Sequence, residues 1–369
     1  LIMPTFGNDP DRGYFLQNGG YYLPISDHLD LNLTGDVYSN GSWGFRTQSV
    51  YTKKYRYRGN INFRYENLVT SQKGFSDYGK NTIYNIQISH SQDAKANPTS
   101  RLSASVNLGS SQYFRSSLNQ MNLPNTQNNN MSSSISYSKN FPDYPAVNMS
   151  VTASHNQNNN TQAINLTLPT FQASMERIYP FAKRDGIKKG ILQNINFTYS
   201  TRGENRFQTT DSLFFKKEMF KGAKLGMTHS IPFNTNFKVA KYFSVSVGGS
   251  YEDSWVFETF NKRVENGMLI KDTIKGFDRF NKYNLSANIG TTVYGTFAFK
   301  EGSKMQALRH VIRPSISIGY LPSFDQFYDS YLDANGKMVQ YTKFEGSMFG
   351  APGLQSSTSV GFSLQNTLE

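Results

Sequence analysis

The side chains best suited to hold a metal or to run acid–base chemistry are scattered along this chain. His28, His90, His155, His229 and His310 stand far apart, and no two imidazoles have the spacing of a helical zinc motif or an acidic pair beside them. There is no cysteine, which excludes thiol catalysis, disulfides and Cys-based zinc sites in this segment. No P-loop, G-x-G-x-x-G or G-x-S-x-G occurs, so no cofactor is expected. An acyl hydrolase or protease assembled from distant strands stays open, because a Ser-His-Asp triad is defined by geometry and not by sequence order. Nothing picks out its members, and the chain reads as a non-enzyme. What does recur is charge in alternation. In "HLDLNLTGDV", Leu29, Leu31, Leu33 and Val37 share one parity, and Asp30, Asn32, Thr34 and Asp36 share the other.

Such residues need strands to position them, since period two puts successive side chains on opposite faces. Ile61, Phe63 and Tyr65 alternate with Asn62, Arg64 and Glu66. The pattern returns at Leu102–Leu108, Val147–Ala153, Ile164–Leu168, Ile195–Tyr199, Phe243–Val247, Tyr283–Val293, Ile312–Tyr320 and Val360–Leu364. Helical spacing shows only weakly, around "MERIYPFAKR". The fold class expected is all-β, an antiparallel transmembrane barrel. Alternation over nine or more positions, as in Leu29 to Val37, Val147 to His155 and Tyr283 to Phe299, suits strands of the roughly 9–11 residues that cross a bilayer. Soluble sandwich strands average about 5–6. At roughly 20–25 residues per strand and connection, about 14–16 strands fit, within the range of outer-membrane barrels.

"NQMNLPNTQNNN", "HNQNNNTQ", "LDANGK" and "MFGAPGLQSS" read as loops, and "YSNGSW" as a tight turn. Tyr21, Tyr22, Tyr38, Trp43, Phe45, Tyr51, Tyr55 and Tyr57 sit near strand ends, as interfacial aromatic girdles do. On this reading the Leu parity meets hydrocarbon and the Asp parity a wet lumen. Asp30, Asn32, Asp36, Asn62 and Arg64 are the lumen-facing candidates. A one-residue slip would exchange the faces and put Arg64 in lipid, at about 2–4 kcal/mol near the midplane.

The chain has 369 residues and a formal charge of +12. That balance admits nucleic acid, anionic lipid or acidic sugar as partner. "YTKKYRYRGN" interleaves cations with aromatics, yet it lies within membrane-type alternation, so no nucleic-acid partner is expected. Its basic stripe either meets a phosphorylated glycolipid or is a solvated turn at a strand end. Neither terminus carries a signal-peptide or closing-turn pattern, and the chain reads as a fragment of a longer one.

Two segments resemble one family. "GYFLQNGGYYLPISDHLDLNLTGDVYSNGSWGF", Gly13 to Phe45, has a Tyr-Tyr pair, a short turn, and a D-x-T-x-T-like alternation ending in an aromatic and a Gly-containing turn. "RHVIRPSISIGYLPSF", Arg309 to Phe324, has His310, three residues, Pro314, then apolar alternation to Tyr320 and Pro322. In this order they resemble the LptD family of outer-membrane lipopolysaccharide-assembly proteins, and the wealth of Asn, Tyr and Lys looks like a Bacteroidetes-type branch.

The resemblance implies part of a barrel of about 26 strands in the bacterial outer membrane. Lipopolysaccharide would leave it sideways through a weak seam between first and last strands. It also implies an LptE-like plug lipoprotein, periplasmic transport-bridge proteins and membrane lipids as partners. Residues 1–12 would link from an upstream jelly-roll domain, and residues 13–369 would be partial barrel. The gate strand would run from about Gly13 to Pro24. Gly20 and Gly35 stand where well-known members carry proline, so Gly19, Gly20, Tyr21, Tyr22, Pro24 and Gly35 are the gate candidates. Both Gly and Pro weaken a strand, Pro by losing a ladder donor and Gly by entropy. An uptake barrel of porin or TonB-dependent type, and a secreted soluble glycan-binding β-protein, are the alternatives.

Overall fold

The computed structural model describes residues 1–71, 73–118, 130–184, 186–188, 190–300, 302 and 306–369. Its strands are β1 (Thr5–Asp9), β2 (Gly13–Ser26), β3 (Leu29–Tyr38), β4 (Trp43–Lys53), β5 (Tyr57–Thr70), β6 (Gly79–Gln92), β7 (Ser100–Gly109), β8 (Asn130–Phe141), β9 (Val147–Asn158) and β10 (Ala163–Ile178). There follow β11 (Asn196–Thr210), β12 (Lys224–Val239), β13 (Phe243–Glu265), β14 (Met268–Gly290), β15 (Val293–Ala298), β16 (Ala307–Leu321), β17 (Tyr328–Leu332), β18 (Met338–Thr342) and β19 (Ser357–Leu368). All but β17 and β18, which form their own hairpin, belong to one 17-stranded sheet. The all-β expectation is borne out in the form a barrel wall requires. No helix among the described residues is long and apolar enough to cross a membrane, which has no bearing on strands.

The chain forms two compact units. The first is Leu1–Phe141, Asn148–Phe171 and Glu204–Lys224. Within it β1 through β8 pair antiparallel in succession. Its faces are inverted relative to a water-soluble sheet. On β3 and β5 the even positions Thr34, Asp36, Tyr38, Arg64, Glu66 and Leu68 are buried, whereas Val37 and Ile61 are 55% and 38% exposed. Trp43 and Phe45, in register with Val37 and Tyr65, join the exposed apolar row. An apolar face left open beside a buried polar one is what hydrocarbon outside and protein inside select. Tyr38, Leu68, Ile83 and Leu118 form a small core on the inner face, with Phe15 and Tyr113 against it.

The second unit is Pro142–Val147, Gln172–Gly203 and Leu225–Glu369. Register across β12, β13, β14, β16 and β19 aligns Phe237, Val245, Ile289, Ile316 and Phe362 in one apolar row. The next row is Thr235, Val247, Ala287, Ile318 and Val360. The intervening positions carry Asn236, Ser246, Asn288, Ser317 and Gly361. Val256, Phe280 and Phe344, with Phe327 against them, make this unit's own core.

Several expectations are corrected. "MERIYPFAKR" is not helical at its start: Met175–Ile178 belong to β10. "HNQNNNTQ" is a loop only over 159–162, because β9 continues to Asn158 with Gln157 donating to the Gly109 carbonyl and to Ser111 Oγ. The alternation from Tyr283 to Phe299 is interrupted after Gly290 and resumes in β15 with no change of register against β16. Pro314 lies opposite the gap. It has no N–H to give the ladder, while its carbonyl accepts from Thr291 N. Among the described residues there are 19 strands in place of 14–16, the excess being the short β1, β15, β17 and β18. Asn119 to Asn129 lie outside the described residues, and Asn130 already belongs to β8.

Candidate functional site: an irregular strand and the charge network beneath it

Of the gate candidates, Gly19, Gly20, Tyr21, Tyr22 and Pro24 lie on β2, the second strand of the chain, and Gly35 lies on β3. Before β2, β1 pairs Thr5 with Gln17 and Asp9 with Gly13, and Ile2 bridges Gly20, so most of the first ten residues, where a linker was expected, make ladder contacts. Between β2 and β3 the register shifts twice, at Leu16/Gly19 and at Pro24/Ser26. Asn18, in the first irregularity, has φ 58°, a left-handed conformation that asparagine tolerates better than most residues. Gly19 then pairs with Gly35, Gly20 with Thr34, Tyr21 with Leu33 and Tyr22 with Asn32. Gly20 has a steric reason as well: a Cβ there would overlap the Leu33 carbonyl oxygen. At Gly35 the nearest atom to an added Cβ would be 3.6 Å away.

The bulge is tied down from the buried face. Asn18 N donates to Asp36 Oδ1 at 2.8 Å, and Asp36 Oδ2 accepts from Arg64 Nη2 at 2.9 Å. Arg64 Nε bonds Glu66, which accepts from Ser117 Oγ and from Leu118 N, both at 2.8 Å. Arg46 reaches Asn18 Oδ1 at 3.3 Å, and Gln17 bonds the Tyr38 hydroxyl, which donates to the Leu118 carbonyl. Side-chain exposures of Arg64, Asp36 and Glu66 are 6%, 4% and 0%, so the charges are desolvated and every one is paired. Helix α1 (Tyr113–Ser116) holds the Ser117–Leu118 end of the network against this inner face. The Tyr113 phenol is pushed above its usual range, by burial first and by Glu66, with Arg64 and Ser117 opposing.

Asp36 and Arg64, two lumen candidates, are thus brought together. Asn62 shares the Arg64 face, flanked by Gln48 and Gln87. Asp30 accepts from Val50 N at 2.8 Å nearer the other end of β3, and Asn32 has a buried Oδ1 with no partner among the described residues. Glu66, Asn18 and Ser117 were missed. Glu66 had a signal, since Arg64 and Glu66 two apart in a strand share a face; Asn18, at the bulge of β2, and Ser117, just after α1, had none. On β16, Pro314 opposes Leu364, Tyr320 opposes Leu285 and Thr358, and Pro322 follows the strand end. His310 contacts Asn366 at 3.2 Å, while His90 and His229 contact Tyr51 and Tyr199 hydroxyls at 2.9 and 2.7 Å. His155 meets Ser133, so these rings act as pairing partners within the wall.

A family model described as "LptD protein" matches residues 1–369, the whole sequence. The chain belongs to the LptD family. No curated protein matches it. Among solved structures, a double mutant of the Serratia marcescens hemophore receptor HasR, in complex with its hemophore HasA and heme, is similar with a TM-score of 0.27 and 8% identity. That likeness covers 98% of this LptD-family chain and 62% of the receptor chain, and at that TM-score nothing is carried over from it.

Proposed function

We propose that this chain is part of the wall of an outer-membrane barrel that delivers lipopolysaccharide sideways into the outer leaflet, with β2 as a lip of the gate. Family membership over residues 1–369 is the observation that carries the reading, and the inverted faces of both units support it. The irregularity of β2 supports the gate: two register shifts and Pro24 fall on one strand. A gate strand must unzip without unpairing its neighbours, because a bare backbone group in lipid costs several kcal/mol. The paired charges behind β2 hold β3 and β5 together, and the bond from Asn18 N to Asp36 is a tie that β2 releases on opening. Residues 1–12 lead in from an upstream periplasmic domain, a plug lipoprotein fills the lumen, and periplasmic bridge proteins deliver the glycolipid. A photo-crosslinking residue at Tyr22, 52% exposed, and separately at Asn62 on the inner face, tests this in cells making the full-length protein. Glycolipid adducts at Tyr22 are expected; correct insertion with adducts at neither position would refute it.

A further inference from the structure

Above the apolar rows of the second unit, the same exposed face turns polar and then aromatic, and the gate uses neither change. Register puts Ile231, Tyr251 and Tyr283 in one row, His229, Asp253 and Asn281 in the next, and Met227, Trp255 and Arg279 in the one after. All share the parity of Phe237, Val245 and Ile289, the row that an outer-membrane wall turns to lipid. Between Val256 and Glu258 the ladder shifts, and β14 carries one residue more than β13. Phe277, at this irregularity, meets Trp255 and Phe257 edge-on, with centroids 5.8 and 5.7 Å apart. Asp253 Oδ2 accepts from Trp255 Nε1 at 3.1 Å and lies 3.6 Å from Arg279 Nη1. His229 Nδ1 bonds the Tyr199 hydroxyl, and the His229 ring centroid is 4.4 Å from that of Trp255. Two polar atoms are left over: His229 Nε2 and Asp253 Oδ1 are buried without a partner among the described residues. Each such unmet group costs about 1–3 kcal/mol, and Trp255 is the ring in contact with both side chains.

Depth puts the aromatic rows outside the hydrocarbon. From Phe243, where β13 begins, to Asp253 is about 33 Å of strand, or about 23 Å of height at a 45° tilt, close to the apolar belt of about 25 Å. Tyr251 and Tyr283 then stand as the interfacial girdle. Trp255, Phe257 and Phe277 rise above it, where no acyl chain covers them, and Phe277 is 59% exposed. At this end β13 and β14 stay paired as far as Glu265 and Met268, and residues 322–356 join β16 to β19. The connections at the opposite end of this unit, 142–146, 179–195, 240–242 and 299–306, are each shorter than 322–356. Outer-membrane barrels keep their longer loops on the extracellular side, so the aromatic rows stand in the headgroup layer of the outer leaflet. The glycolipid of that leaflet presents sugars there. An aromatic face takes the C–H face of a sugar ring, and carboxylate, amide and guanidinium groups beside it take the hydroxyls. Asp253 offsets Arg279, so these rows lack the excess positive charge that a phosphate selects.

We propose that Asp253, Arg279 and the Trp255, Phe257 and Phe277 rings form a sugar-binding site on the outer wall of the barrel, for the saccharide headgroup of a glycolipid already in the outer leaflet. Trp255 turns off His229 and Asp253 onto the sugar, whose hydroxyls meet the two unpaired atoms. The inference rests on the outer-membrane reading above and adds a second place of contact with the same substrate class. The test puts a photo-crosslinking residue at Met227, opposite Trp255 in register, in full-length protein. The protein is inserted in nanodiscs of phosphatidylethanolamine and phosphatidylglycerol, with or without lipopolysaccharide, and insertion is checked by heat-modified gel mobility. With lipopolysaccharide present, glycolipid adducts should dominate at Met227. D253N/R279Q and, separately, W255L should lower them about tenfold or more at equal insertion, while K238Q/K241Q, at the far end of β12, should not. Equal adducts in wild type and both site variants would reduce the contact to ordinary boundary lipid and overturn the proposal. Phospholipid adducts that fall in D253N/R279Q, with no glycolipid adduct, would make this a phospholipid site and overturn it too. Adducts at Tyr22 in cells with no glycolipid at Met227 would remove this site and leave the gate. Failure of the wild type to insert would remove the outer-membrane reading together with it.

Discussion

Replacing Arg64 by leucine should separate a packed charge network from a wet lumen. In a water-filled channel Arg64 would be solvated, its loss would cost little, and Asp36 and Glu66 would take up water. Here the side chains of all three are almost fully covered, and Glu66 is also the acceptor for Ser117 and Leu118. Leucine conserves much of the volume but removes the cation bonded to both carboxylates, leaving Arg46, opposite it in register, on that face. Removing one partner of a buried pair typically costs about 3–5 kcal/mol. A second carboxylate in the same cluster argues for the upper half of that range. The assay is urea unfolding of the refolded protein in detergent micelles, followed by the gel-mobility difference between folded and heated samples. D36N should cost less, about 1–3 kcal/mol, because its amide keeps an acceptor for Asn18 N while losing the charge that faces Arg64. A cost below about 1 kcal/mol for R64L would refute the reasoning and restore the solvated lumen.

Two further outcomes follow from the same elements. Gly20→Ala places a Cβ into the Leu33 carbonyl and should destabilise by about 1–3 kcal/mol, whereas Gly35→Ala, with 3.6 Å of room, should change stability by well under that; equal urea midpoints for the two variants would show that the strands part freely at this point. The raised Tyr113 phenol means that the folded state favours the neutral form, so its contribution is complete below the ordinary value near 10 and is lost as pH rises through the higher folded value; unfolding midpoints should fall over that alkaline window in wild type and fall less in Tyr113→Phe, and parallel curves would count against it.

How much of this was legible beforehand depended on whether a residue's role was local. Period two placed Asp36 and Arg64 on one face correctly, since parity follows from backbone geometry alone. It could not say that the face is dry, because dryness comes from Tyr113, Ser117 and Leu118, brought in by a connection with no periodic signal. Composition misled at "HNQNNNTQ". Asn and Gln mark loops in a water-soluble protein, but on an inward face they are what a strand carries, and Gln157 spends both its amide hydrogens on Gly109 and Ser111. Pro314 was read as a family mark, while its missing N–H is what interrupts the long alternation opposite it. The gate strand is the reverse case. Gly20 was taken as a replacement for proline that keeps a strand weak, and the Leu33 carbonyl shows that a close backbone approach requires glycine there whatever the strand's strength. The case for β2 as a gate lip therefore rests on its two register shifts. The first is held by Asn18 on Asp36, so the irregularity of β2 depends on the same charges that join β3 to β5.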